Sequence, residues 1–254
     1  MHSIANNPNF SVIDETADYI VVNKPAPLQI HPKKPGGPAT LFDGLRDLLA
    51  FEIANGGQVS IINRLDRETS GLVLIAKNGK TARRFGLAMQ ARQFHKKYFA
   101  LAAGWPVWDE VTCESSILRK GDVEPSLVWV KQIVHESGTA CCTHFRVISR
   151  IDRSIDGQKR AFSLIEASPV TGRMHQIRVH LSHLGYPIVG DKIYGPDEHC
   201  YLDHIATGWT PDLAARLLLP RHALHSCELS LETGDFSLGW SSPLPDDLRA
   251  FIGT

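Results

Sequence analysis

No apolar run in this chain is longer than a strand, and clusters such as Leu72–Ala76 are typical of it. A membrane-crossing helix needs about 18 consecutive apolar residues, so no membrane span is expected. Short apolar runs punctuated by Gly, Pro and charged residues can bury themselves only as strands or as amphipathic helices of a few turns. With 254 residues and 43% hydrophobic content, there is ample sequence for a core, and nothing compositional suggests disorder.

The local patterns divide as follows. Ile20-Val21-Val22 reads as a buried strand stopped by Pro25, and the proline-rich stretch Pro25–Pro38 as a loop. Thr40 is placed to cap a helix carrying Leu41, Leu45, Leu48, Leu49 and Ile53, ended by Asn55-Gly56-Gly57. Ile61-Ile62 and Leu72–Ala76 flank a polar segment, after which Asn78 caps a helix running to about Phe94. Tyr98–Ala103 reads as a strand. So do segments around Ile117, Leu127–Val134, Cys141–Ser149 and Phe162–Ala167, with turn residues such as Asp156-Gly157 between them. A helix is expected over Met174–Leu184, closed by Gly185, with Arg178 projecting away from a Met174, Ile177, Leu181 stripe. A last strand pair, Ala223–Glu232 and Phe236–Trp240, precedes a short helix after Pro245. The class is α+β: a mixed, largely antiparallel central sheet flanked by helices and loops. No linker or repeat is visible, so residues 1–254 are expected to form a single domain.

The opening MHSIANNPNF lacks both a basic start and an apolar stretch, so no signal peptide is expected and the cytoplasm is the default. Five cysteines, none in a Cys-x-x-Cys pair, are expected to be reduced. The chain holds 27 Lys+Arg against 27 Asp+Glu, so charge must be read locally. Between 64 and 104 there are nine Lys or Arg and two acids, a local excess of seven positive charges. Acids elsewhere, such as Asp246-Asp247, leave one face basic, the pattern for binding phosphates; a solvated helix face explains part of it.

Two polar segments concentrate chemistry. Asn63-Arg64-Leu65-Asp66-Arg67-Glu68-Thr69-Ser70-Gly71 alone reads as a charged hairpin turn. Gly172-Arg173-Met174-His175-Gln176-Ile177-Arg178-Val179-His180 loads a helix start with cations where the helix dipole disfavours them, which suggests an anionic partner. Together with Ile20–Pro25 and Ile30-His31-Pro32, Lys97-Tyr98-Phe99-Ala100, Gly185–Asp191 and Arg221–His225, these segments resemble, in order, the motifs of the pseudouridine synthases. The likeness is to the large-ribosomal-RNA and transfer-RNA branch without a leading S4 domain, and it runs from about residue 19 to the end. Asn63 stands where histidine or glycine is commoner, and Met174 where threonine is frequent; neither change removes a group the chemistry uses.

The resemblance implies the pseudouridine synthase fold and an isomerase acting on a uridine of structured RNA, a ribosomal or transfer RNA stem-loop. It implies no cofactor and no metal, because the reaction conserves atoms and electrons; the oligomeric state is not readable from the sequence, and a monomer is the default. It assigns Asp66, Tyr98 and Arg178 to catalysis. Asp66 is the reacting carboxylate, Arg178 its counter-charge, and Tyr98 the ring that stacks on uracil. Addition to C1′, addition to uracil C6 and removal of the C2′ proton each use the ionised carboxylate, and the sequence does not choose among them. Arg64 is assigned to the space vacated by the flipped base. Thr69, Lys97, Arg173, Gln176, Ile177 and Leu224 complete the expected substrate contacts, with Ile177 and Leu224 as apolar walls. As structural alternatives, Asp66 and Arg178 form an inert ion pair, and Tyr98, Ile177 and Leu224 are ordinary core.

Two rival functions are weighed. A metal-dependent hydrolase would draw on His175, His180, His183, His199, Cys200, His222, His225 and Cys227, but their spacings match no familiar zinc set and arginines interrupt them. A non-catalytic RNA-binding module would keep the basic face without needing Asp66, Tyr98 and Arg178 together.

Overall fold

A computed structural model describes residues 10–32, 36–234 and 236–253. The first nine residues, on which most of the leader reading falls, and residues 33–35 of the proline-rich loop lie outside the described residues. The fold is mixed α+β with a central antiparallel sheet flanked by helices, as expected. The chain forms two compact units, one of residues up to Lys96 with Ser226–Pro243, the other of Lys97–His225 with the C-terminal residues from Leu244.

The first unit begins with β1 (Ser11–Glu15) and β2 (Tyr19–Lys24), which pair antiparallel. Helix α1 (Leu41–Leu48) starts at a capping box: Thr40 accepts from the Asp43 N–H, and the Asp43 carboxylate accepts from the Thr40 N–H at 2.9 Å. The expected single helix to Ile53 is interrupted at Leu49, after which α2 (Ala50–Ala54) follows. Leu49 stays buried, whereas no residue of α2 is, so the break lets the chain leave the core. Strand β3 (Ser60–Ile61) pairs with β4 (Ser70–Ala76), all of whose residues are buried. Asn78 caps α3 (Gly79–Gln90) through the Thr81 N–H. This helix stops four residues short of the expected Phe94. Arg92 adopts a left-handed φ of 56°, and the Gln93 N–H donates back to the Ala88 carbonyl, a Schellman closure. The reversal allows Phe94 to open β5 (Phe94–Ala103) as a core residue. Phe85 and Ala88 of α3 pack with Phe94, Leu72, Leu74 and Leu229. Burying side chains of that size stabilises by about 1.5–3 kcal/mol each.

The second unit continues with β6 (Glu110–Cys113), β7 (Ile117–Arg119), β8 (Gln132–Val134), β9 (Thr143–Ile155) and β10 (Gln158–Pro169). Its sheet runs β5-β10-β9-β6, with β7 and β8 as a separate pair. Strands β9 and β10 are far longer than the segments read from apolar pattern. Their outer halves carry Arg150, Asp152, Arg153, Lys159 and Arg160, paired across a two-stranded ribbon that leaves most of them in solvent. The ribbon closes at Asp156-Gly157, with φ of 52° and 76°, the two positive values of a type I′ turn. Conversely, the strand expected over Leu127–Val134 shrinks to β8, because 127–131 form a turn around buried Val128.

Helix α4 (Gln176–His183) is shorter than the Met174–Leu184 expectation: His175 sits before it with φ 58°, and Gly185 follows it with φ 89°. The 196–220 segment folds into α5 (His199–Thr207) and α6 (Pro211–Leu217), helices that the sequence reading left unassigned. Strand β11 (Leu224–Thr233) pairs with β12 (Phe236–Ser241), and α7 (Asp246–Ile252) closes the chain. In the first unit the strand order is β1-β2-β4-β11. Among the described residues no helix is long and apolar enough to cross a membrane, and none of the five cysteines is in a disulfide.

Candidate active site

Arg64, Asp66 and Thr69 share the loop between β3 and β4. Arg64 is exposed, Asp66 half-buried and Thr69 buried. The loop is held at three points. At its start, buried Asn63 donates through Nδ2 to the Leu72 carbonyl at 3.0 Å and accepts the Leu74 N–H through Oδ1 at 2.8 Å. Its amide thus imitates a strand partner for β4, a role its place in the motif does not announce. In the middle, the Thr69 N–H donates to the Asp66 carbonyl at 3.1 Å, closing a tight turn. The Arg67 carbonyl accepts from the Leu28 N–H at 3.0 Å and from the fully buried Lys24 ammonium at 3.2 Å. That ammonium also donates to the Pro25 and Leu28 carbonyls, so carbonyl dipoles compensate its burial. At the end, Gly71 has φ 114°, and a Cβ there would lie 2.2 Å from the Ser226 carbonyl oxygen, so only glycine fits.

The other expected site residues belong to the second unit. Tyr98 is a buried residue of β5, paired in register with Ala167 of β10. Lys97 is half-exposed, with its ammonium 4.0 Å from Glu166. Strand alternation puts Lys96, rather than Lys97, on the side of β5 that Tyr98 occupies. Burial pushes the Lys96 ammonium below its usual range. Leu224 and Ile177 are both buried, and Arg173 is exposed. Gln176 ties the start of α4 to β9. Its Nε2 donates to the Thr143 hydroxyl and the Cys142 carbonyl at 2.9 Å, while its Oε1 accepts from the Arg173 N–H and the Thr171 hydroxyl.

Arg178 is a buried residue of α4. Residues Gln176–Leu181 are all buried, so Arg178 does not project from a solvated face. Its Nε donates to Asp191 Oδ2 at 2.6 Å and its Nη2 to Asp191 Oδ1 at 2.9 Å. An anion answering this cation is therefore built into the chain. Burial is the largest influence on Asp191 and raises its pKa. The Arg178 charge and hydrogen bonds, His222 and the Tyr194 N–H together outweigh it and hold the carboxyl well below the usual range. Asp191 lies in the Gly185–Asp191 stretch of the motif, where no role was assigned to it. Preceding Gly190 has φ 77°, and a Cβ there would lie 2.0 Å from the Arg221 carbonyl oxygen, so glycine is required beside it.

The local charge excess also needs correction. Lys77 is buried between Glu15 and Glu52, each at 2.7 Å, and Asp247 is bound by Arg221 at 2.7 and 3.0 Å rather than standing apart. The exposed basic residues of that segment include Arg64, Lys80, Arg83 and Arg92. Three of the histidines weighed as metal ligands are engaged otherwise. His175 meets the Tyr194 hydroxyl at 2.8 Å, His180 the Thr143 hydroxyl and Ser115 carbonyl at 3.0 Å, and His199 Asp197 at 2.8 Å. Among the described residues, no three His, Cys, Asp or Glu side chains are grouped to hold a metal ion.

The sequence model of RNA pseudouridylate synthases matches residues 18–183, which carry both polar segments. The chain belongs to the RNA pseudouridylate synthase family. It is 32% identical over 253 residues to the ribosomal large subunit pseudouridine synthase D of Pseudomonas aeruginosa, covering 96% of this chain and 71% of that protein. It is 36% identical over 237 residues to an uncharacterized RNA pseudouridine synthase of Chloroflexus aurantiacus, covering 91% and 64%. A third relative, the synthase D of Neisseria meningitidis serogroup A, is 34% identical and is covered over 59% of its length. The chain thus spans less than two thirds of some of these relatives. Among solved structures, human RNA pseudouridylate synthase domain containing 1 superposes with a TM-score of 0.70 at 24% identity, covering 95% of this chain and 86% of that one; this likeness speaks to the fold.

Proposed function

We propose that this chain converts specific uridines of structured ribosomal RNA to pseudouridine, with Asp66 as the reacting carboxylate, Arg178 as its counter-charge and Tyr98 as the ring against uracil. The observation that carries the reading is the loop from Asn63 to Gly71. A carboxylate in a buried-to-exposed transition is held there by backbone and amide anchors, inside the segment that matches the family. A group that must attack a nucleoside needs such a fixed position, because orientation supplies much of the rate. The nucleoside reaches it by leaving the RNA stack, which Arg64, exposed two residues before Asp66, is suited to support. Ribosomal RNA is preferred to transfer RNA because the synthase D relatives are named for the large ribosomal subunit.

The test is incubation of the purified chain with large-subunit ribosomal RNA and with transfer RNA, followed by nucleotide-resolution mapping of pseudouridine. Site-specific conversion in ribosomal RNA is expected. It is expected to disappear in Asp66→Asn, by about 1,000-fold or more in kcat, while RNA binding survives. Conversion confined to transfer RNA moves the substrate assignment, and undiminished turnover by Asp66→Asn removes Asp66 from its role.

A further inference from the structure

The guanidinium of Arg178 is planar, and its Nε–H and one Nη2–H lie along a single edge. Both are committed to Asp191, at 2.6 and 2.9 Å. That side-on grip fixes the plane and the rotation of the group, and directs Nη1 away from Asp191. Asp191 is itself immobilised. It is fully buried, and its Oδ1 also accepts the Ile193 and Tyr194 N–H groups at 3.0 Å. The Tyr194 ring lies 5.0 Å from the Arg178 guanidinium carbon. The Tyr194 hydroxyl accepts the Gln132 N–H and meets His175, each at 2.8 Å, which ties the same cage to the residue that opens α4.

We infer that Asp191 is a positioning residue for the reaction: it grips Arg178 along one edge, so that the Nη1 end of the guanidinium is held in one orientation for its task. The inference rests on the assignment of Arg178 as the counter-charge. Asp191 touches neither substrate nor reacting atoms, and it acts only through Arg178. The pairing also explains why a lysine would serve poorly at 178, since one ammonium cannot both fill the Asp191 edge and present a second, fixed end.

The experiment compares Asp191→Asn, Asp191→Glu, Arg178→Gln and the double variant Arg178→Gln/Asp191→Asn, all as full-length protein with folding checked by circular dichroism. Asp191→Glu keeps the charge but shifts the guanidinium, and it decides the matter should Asp191→Asn fail to fold. A misplacement of about 1 Å costs about 100-fold in rate, so kcat is expected to fall by that order in both Asp191 variants. KM for RNA should stay within about threefold, because binding energy comes from contacts elsewhere. The double variant should be no slower than Arg178→Gln alone. A double variant slower by the whole Asp191 factor, or an Asp191→Glu enzyme with normal kcat, overturns the inference while leaving Arg178 in place. Full activity in Arg178→Gln overturns the Arg178 assignment and the inference with it.

Discussion

The two motif regions each carry a carboxylate, and the chain around each is supported in a different way. Asp66 sits half-buried on a loop whose supports are mostly neutral: the Asn63 amide, the turn bond from Thr69, and carbonyls gathered by the Lys24 ammonium. Asp191 is wholly buried and bound by a full counter-charge and two backbone donors. The neutral scaffold fixes the backbone of the loop, whereas the ionic cage fixes the charge and direction of one side chain. Losing a neutral hydrogen bond costs about 0.5–1.5 kcal/mol, whereas removing one member of a buried ion pair costs about 3–5 kcal/mol. The regions should therefore respond very differently to substitution.

Leaving Asp66 itself aside, the largest loss of turnover is expected in the ionic region. Arg178→Lys leaves Asp191 with a single-point partner and loses the planar edge. Steady-state assays should show kcat reduced by about 100-fold, and urea unfolding a loss of about 1–3 kcal/mol. A lysine variant within threefold of the parent enzyme would erase the contrast, since a mere positive charge would then suffice.

A smaller effect on turnover, though not on stability, is expected in the neutral region. Asn63→Leu keeps approximate size but strands the Leu72 carbonyl and the Leu74 N–H. Urea unfolding should show a loss of about 1–3 kcal/mol for each group left unsatisfied. Turnover should fall by roughly tenfold with RNA affinity unchanged, because the loop start loosens while Arg64 and the basic surface remain. Wild-type kcat in this variant would show that the Leu28 and Lys24 bonds to the Arg67 carbonyl hold the loop unaided.

Much of this was legible before the structure. The caps at Thr40 and Asn78, the strand Leu72–Ala76 and the Asp156-Gly157 turn announce themselves because a local rule and a local residue coincide. The outer halves of β9 and β10 did not, because a ribbon exposed on most sides carries no apolar period to read. The Asp191 partner of Arg178 stayed hidden for a related reason, because no periodicity links Arg178 to a carboxylate thirteen positions later that offsets its burial. Asn63 was visible only as an unusual letter in a motif, since an amide that mimics a strand leaves no pattern in sequence.

The smallest effect concerns pH and lies within the second region. The Ser115 carbonyl only accepts, so His180 Nε2, 3.0 Å from it, carries the ring proton. Nδ1 then accepts from the Thr143 hydroxyl at 3.0 Å, and Gln176 donates to that same oxygen. Burial lowers the His180 pKa, the Ser115 bond opposes this, and His183 adds to the lowering. Because the folded value lies below the unfolded value of about 6.5, the unfolded chain binds its proton first as pH falls. The contribution of His180 to stability is thus complete above that pH and is lost progressively as pH drops through the folded pKa. Asp191 titrates in a separate window, since its folded pKa is depressed and its contribution disappears only in strong acid. Unfolding free energy measured from pH 7.5 to 5 should therefore fall more steeply in the parent protein than in His180→Gln. Twelve histidines contribute to the raw slope, so the difference between the two proteins isolates this one. Parallel slopes would mean that His180 accepts its proton in the folded state as readily as in the unfolded chain, and the neutral tautomer would lose its place in the anchoring of α4.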